Sequence, residues 1–96
     1  MTNQCVDTKF SANSDVVASM DDCGIVLLHV VRGRLYRLNM VGARIWNAIE
    51  RRVPVNAIVA EIGEEYRISH SIARENVACF LAQLEDHTLI QREAKS

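Results

Sequence analysis

The hydrophobic pattern of this chain changes period once, at Asn39, and that change restricts the fold more than any other feature. Upstream the pattern is strand-like. Val16, Ala18 and Met20 share one side of a segment running from Asp15 to Met20. Asp21-Asp22-Cys23-Gly24 follows, with the Asp and Gly that turns favour. Ile25 to Val31 is a run of branched apolar residues interrupted only by His29, and it predicts a central strand. Arg32-Gly33 supplies a tight hairpin, and Arg34 to Leu38 alternates as a third strand. Three strands joined by short turns make an antiparallel meander.

Downstream the period is helical. Asn39 is a favoured N-cap, and Val41, Ile45 and Ile49 recur at i, i+4, i+8 with Trp46 beside them. The basic pair Arg51-Arg52 suits the negative pole at the end of this helix. Pro54 predicts the first turn of a second helix, marked by Val55, Ile58, Val59, Ile62 and Tyr66 and weakened near its end by Gly63. Ser69 caps a third. There Ala73, Val77, Phe80 and Leu84 fall within about 60° at ~100° per residue, with Leu81 flanking the stripe. Leu89-Ile90 returns as a short apolar segment against the core. Strands followed by helices predict an α+β fold, a three-stranded antiparallel sheet followed by three helices. Residues 1–12 are polar and aperiodic and read as a flexible N-terminal arm; residues 13–91 form the domain and 92–96 a polar tail.

Several function classes are disfavoured. A length of 96 residues suits one domain with a modest core. The net charge of −1 is unlike that of a general nucleic-acid binder. There is no apolar run of membrane-spanning length and no signal-peptide pattern at Met1 to Phe10, so no membrane partner is expected. Cys5, Cys23 and Cys79 form no even framework, which predicts free thiols in a reducing cytoplasm. His29, His70 and His87 are scattered, with no metal-ligand spacing. Gly33 and Gly42 match no phosphate loop. We therefore expect neither an enzyme nor a cofactor or metal.

Charge is informative locally. Between Arg32 and Arg52 six arginines face Glu50 alone, a local charge of +5. Such a surface is either balanced by acids on the other helices or turned to an acidic partner. The third strand also ends a meander, so a sheet edge beside a helix stays open. Open edges capture extended peptides through a backbone ladder. Two open edges also leave room for two copies to pair.

A resemblance agrees with this reading. Leu27-Leu28, the run Gly33-Arg34-Leu35-Tyr36-Arg37-Leu38-Asn39 and the run Gly42-Ala43-Arg44-Ile45-Trp46 resemble the PqqD family pattern "LL…G.yy.LN..G..IW". Val55 to Ile62 with Tyr66, and Asn76-Val77 through Leu84, resemble its second and third helices. The resemblance implies a winged-helix-like domain that recognises leader peptides, a RiPP recognition element. Such a domain binds the leader of a ribosomally made precursor as an added strand, between the third strand and third helix. It then presents the precursor to a modifying enzyme, a lasso-type leader peptidase or a radical SAM enzyme. The Arg-Leu-Asn and Gly-x-x-Ile-Trp wording is closer to lasso-peptide clusters than to the pyrroloquinoline quinone branch. Asn76 departs from a frequent acid, and Thr88 from a frequent Gly near the last turn.

Carried over by position, Arg34, Leu35, Tyr36, Arg37 and Leu38 are the residues expected to pair with the leader. Arg34, Tyr36 and Leu38 share one strand face and Leu35 and Arg37 the other; which set faces the groove stays open. On the third helix Arg74, Val77, Ala78 and Leu81 are expected to line the groove, pure core being the alternative for Val77 and Leu81. Trp46 is expected to anchor the core. The competing reading of the helical half is a winged-helix DNA-binding protein. DNA readers carry basic recognition helices, whereas here Arg74 is accompanied by Glu75, Glu85 and Asp86.

Overall fold

The computed structural model describes residues 8–93. The elements in order are β1 (Phe10–Ala12), β2 (Val16–Asp21), β3 (Gly24–His29), β4 (Arg34–Leu38), α1 (Met40–Glu50), α2 (Val55–Tyr66), α3 (His70–Asp86) and β5 (Ile90–Arg92). β2, β3 and β4 make an antiparallel sheet with β3 in the centre, and β1 pairs antiparallel with β5 in a separate two-stranded sheet. The α+β architecture is the one expected.

The pleat explains the sheet. Ile25, Leu27 and His29 alternate along β3 and are buried on the face that α1 covers, while Leu28 points the other way and is exposed. Across to β4, Ile25 stands opposite Leu38, Leu27 opposite Tyr36 and His29 opposite Arg34. Gly24 is obligatory at the head of β3: its φ is +148°, and a Cβ there would overlap the Leu38 carbonyl oxygen. Gly33, at φ +64°, closes the second hairpin and donates its N–H to the His29 carbonyl at 2.8 Å.

The helix starts follow their caps. The Asn39 side-chain oxygen accepts from the Gly42 N–H at 2.9 Å, and Ser69 Oγ accepts from the Ile72 N–H at 3.3 Å. Pro54 sits at the N-cap of α2 and not in its first turn, with no side chain to offer. The Val55 N–H goes instead to the Thr8 carbonyl at 2.8 Å.

Residues 10–12 of the expected arm form β1, and Phe10, 5% exposed, is part of the core. Arg92, expected in the polar tail, ends β5 opposite Phe10, with its guanidinium 5.3 Å from the ring centroid. A three-residue strand is too short to show a period, and its partner lies at the other end of the chain. Residues 1–7 of the arm and 94–96 of the tail lie outside the described residues.

Candidate functional site

The site grows from β4. This strand has β3 on one side and, among the described residues, no strand on the other. In an antiparallel ladder alternate residues bond inward, so the remaining N–H and C=O groups of β4 face outward unpaired. Tyr36 and Leu38 are half-buried on the inner face, whereas Leu35 (69% exposed) and Arg37 lie on the outer face.

Beside the end of β4, α1 and α3 leave a groove of about 520 Å³. Its floor is apolar: Leu38, Ile45, Val77 and Phe80. Arg37, Asn76 and Gln83 form polar parts of its wall, and Tyr66 and Ile68, from the junction of α2 and α3, also line it. Gly42 lets α1 come this close, since a Cβ there would sit 3.0 Å from both Leu38 Cβ and Phe80 Cζ. Nearer the start of β4, the Tyr36 ring meets His87 at the end of α3, with centroids 4.9 Å apart. The Tyr36 hydroxyl is buried there with no hydrogen-bond partner among the described residues.

The basic surface is partly neutralised by ion pairs: Arg37 with Asp21 at 3.1 Å, Arg44 with Glu65 at 3.2 Å and Arg52 with Glu93 at 2.6 Å. Arg32, Arg34 and Arg51 are exposed and make no ion pair among the described residues. The Cys23 N–H donated to Asp21 at 2.8 Å, followed by the Arg37 guanidinium, holds the Asp21 carboxyl below the usual carboxylate range. No group of three His, Cys, Asp or Glu side chains suited to a metal occurs among the described residues.

The expected site residues divide. Arg37, Leu38 and Val77 come together at the groove, although Val77 is fully buried and contributes only floor. Arg34, Leu35 and Tyr36 lie upstream on the same strand. Ala78 and Leu81 do not join them. They line a separate hollow of about 200 Å³ with Phe10, Val55 and Arg92, on the opposite flank of α3. Leu81 is 4% exposed and packed in the core, and Arg74 is exposed and lines neither cavity. At ~100° per residue Arg74, Ala78 and Leu81 all lie to one side of the Ala73–Val77–Leu84 stripe, and Asn76, Phe80 and Gln83 to the other. The expected roles of Phe80 and Leu81 are thus exchanged. Leu81 is buried because β1 brings Phe10 to its flank, and the arm reading left that flank without a partner. On the groove side the sequence offered Phe80 at the edge of the core stripe and Asn76 at a position where the family often has an acid; Gln83 and Ile68 carried no signal.

An α+β domain with an unpaired strand edge alongside an apolar groove has the geometry that accepts an added strand in other peptide-binding domains. The comparisons place it further. The family model described as Coenzyme PQQ synthesis protein D (PqqD) matches residues 24–90, and the chain belongs to that family. A solved structure of TbiB1 in complex with the TbiA(beta) leader peptide is similar at 29% identity and a TM-score of 0.82, covering 88% of this chain and 99% of that one. A lasso peptide synthetase B1 complexed with the leader peptide shares the fold at 19% identity and a TM-score of 0.80, covering 86% and 98%. No curated protein sequence matches the chain. The DNA-binding alternative finds no support in the family or in these structures.

Proposed function

We propose that the chain binds the leader of a ribosomally made precursor peptide as a strand added to β4, and presents the precursor to a modifying enzyme of the lasso-peptide type. The observation that carries this reading is the coincidence of the unpaired β4 edge with the apolar groove. The backbone ladder supplies affinity, and the groove takes side chains from the added strand. The 29% identical TbiB1 structure, which holds a leader peptide, supports it. Arg34, Leu35, Tyr36, Arg37 and Leu38 form the ladder, and Val77, Phe80, Asn76 and Gln83 supply the α3 wall. Arg34 is free to meet leader acids. Arg74, Ala78 and Leu81 face away and take no part.

In this role the chain does no chemistry; it raises the local concentration of precursor at the enzyme. It works in the cytoplasm, where such precursors are made. No helix among the described residues is long and apolar enough to cross a membrane.

The test is an anisotropy titration with the labelled leader of the precursor encoded beside this gene. Saturable binding with Kd below about 1 μM, ~8 kcal/mol or more, is expected. Scrambling the leader, or N-methylating alternate residues in the paired stretch, is expected to abolish it. Equal affinity for the N-methylated leader would refute strand addition.

A further inference from the structure

Thr88 is a β-branched residue at φ +55°, in the left-handed region that such residues avoid. A conformation of this kind is strained and persists only where its surroundings over-determine it. Every polar group of Thr88 is committed. Its hydroxyl donates to the His87 carbonyl at 2.6 Å and lies 3.2 Å from His29 Nε2. Its carbonyl accepts from Asn13 Nδ2 at 2.8 Å, and its N–H goes to the Glu85 carbonyl at 2.9 Å.

The hydrogen bonds assign the imidazole. His29 Nδ1 accepts the Arg32 N–H at 3.4 Å, so the ring proton sits on Nε2 and is donated to Thr88 Oγ1. His29 is 4% exposed, the one buried polar side chain among the described residues. It lies on β3 opposite Arg34, the first residue of β4. From Thr88 the connection runs on to His87, whose ring rests on Tyr36 of β4. A closed circuit therefore joins β3, the end of α3 and β4, and Asn13 ties in the start of β2.

We propose that His29 and Thr88 are positioning residues for the leader site: their hydrogen bond sets the separation between β4 and the C-terminal end of α3, and so preorganises the edge that accepts the leader. The inference rests on the leader-binding reading above and names the device that holds that site ready. Preorganisation strengthens binding because the ordering is complete before the ligand arrives. It also accounts for a hydroxyl-bearing residue at a position whose backbone favours glycine: glycine would remove the strain and with it the link.

The test sets stability against affinity. Thr88→Gly removes the hydroxyl and relieves the backbone, so thermal stability is expected to hold or fall only slightly. Affinity for the labelled leader encoded beside this gene is expected to fall about three- to tenfold, the worth of one hydrogen bond. Thr88→Ser keeps the hydroxyl and is expected to bind as the wild type does, a rescue that a space-filling role would not show. His29→Leu, of similar bulk, is expected to match Thr88→Gly, and the double variant to be no weaker than either single one, since both cut one link. Wild-type affinity in a folded Thr88→Gly protein, or additive losses in the double variant, would overturn the proposal. Should the wild type not bind the leader at all, the leader reading fails, and amide exchange in the free protein decides the clasp. Faster exchange at Tyr36 and Leu89 in Thr88→Gly supports it, and unchanged exchange overturns it.

Discussion

Replacing Gly42 with alanine is expected to couple core packing directly to leader binding. Gly42 lies in the first turn of α1, where alanine gains about 1 kcal/mol in helix propensity. The new methyl, however, comes within 3.0 Å of Leu38 Cβ and of Phe80 Cζ, and 3.3 Å of Phe80 Cε1. Leu38 Cβ is bonded to the β4 backbone and cannot move alone. The Phe80 ring is half-buried with the groove open beside it, so the ring gives way. Overpacking of this kind costs roughly 1–3 kcal/mol, leaving a net destabilisation of about 0–2 kcal/mol. The larger effect falls on binding. A ring displaced into the groove occupies the space assigned to a leader side chain, whose burial is worth about 1.5–3 kcal/mol. Leader affinity is therefore expected to drop about 10- to 100-fold while the protein stays folded. Urea unfolding and leader anisotropy on the same samples separate the two quantities. Adding Phe80→Leu, which shortens the clashing side chain, is expected to restore the stability lost in Gly42→Ala. A Gly42→Ala protein that is more stable than the wild type and binds leader equally well would refute this account of the groove.

Phe10→Ala is expected to cost about 3–5 kcal/mol, read as a lowered urea midpoint, because Phe10 is a core residue and not part of a loose arm. Arg34→Glu is expected to weaken leader binding several-fold at low salt, the difference shrinking at about 0.5 M salt, because Arg34 is exposed and makes no ion pair among the described residues. Asp21 has a depressed carboxyl pKa, so its contribution to the β2–β3 hairpin is complete above the ordinary Asp value of about 3.9 and is lost as pH falls through the lower folded value. An NMR titration is expected to place the Asp21 carboxyl below the ordinary Asp value of about 3.9 and to move it upward in Arg37→Ala; a midpoint at the ordinary value would remove the Cys23 and Arg37 contacts as its cause.

Much of the architecture was legible because its causes are local. The bounds of the third strand, Arg34 to Leu38, coincide with β4, since Gly33 sets the hairpin before it and Asn39 the cap after it. Ser69 marks the start of α3 for the same reason. Part of the site was legible too: the strand that presents the open edge, and Val77 beneath it. The α3 flank was not. Phe80 and Leu81 are adjacent, both apolar and both at the margin of one stripe, so helical period alone does not say which one meets the core.

By itself the sequence determined the order of the elements from β2 to α3, the Asn39 and Ser69 caps, the turns at Gly24 and Gly33, and the family, which depend on residues within a few positions of one another. Only the tertiary structure decided which side of α3 forms the groove. That choice depends on β1 pairing with β5, Phe10 opposite Arg92 across nearly the whole chain. The pairing buries Leu81 on one flank and leaves Phe80 facing the open edge of β4 on the other.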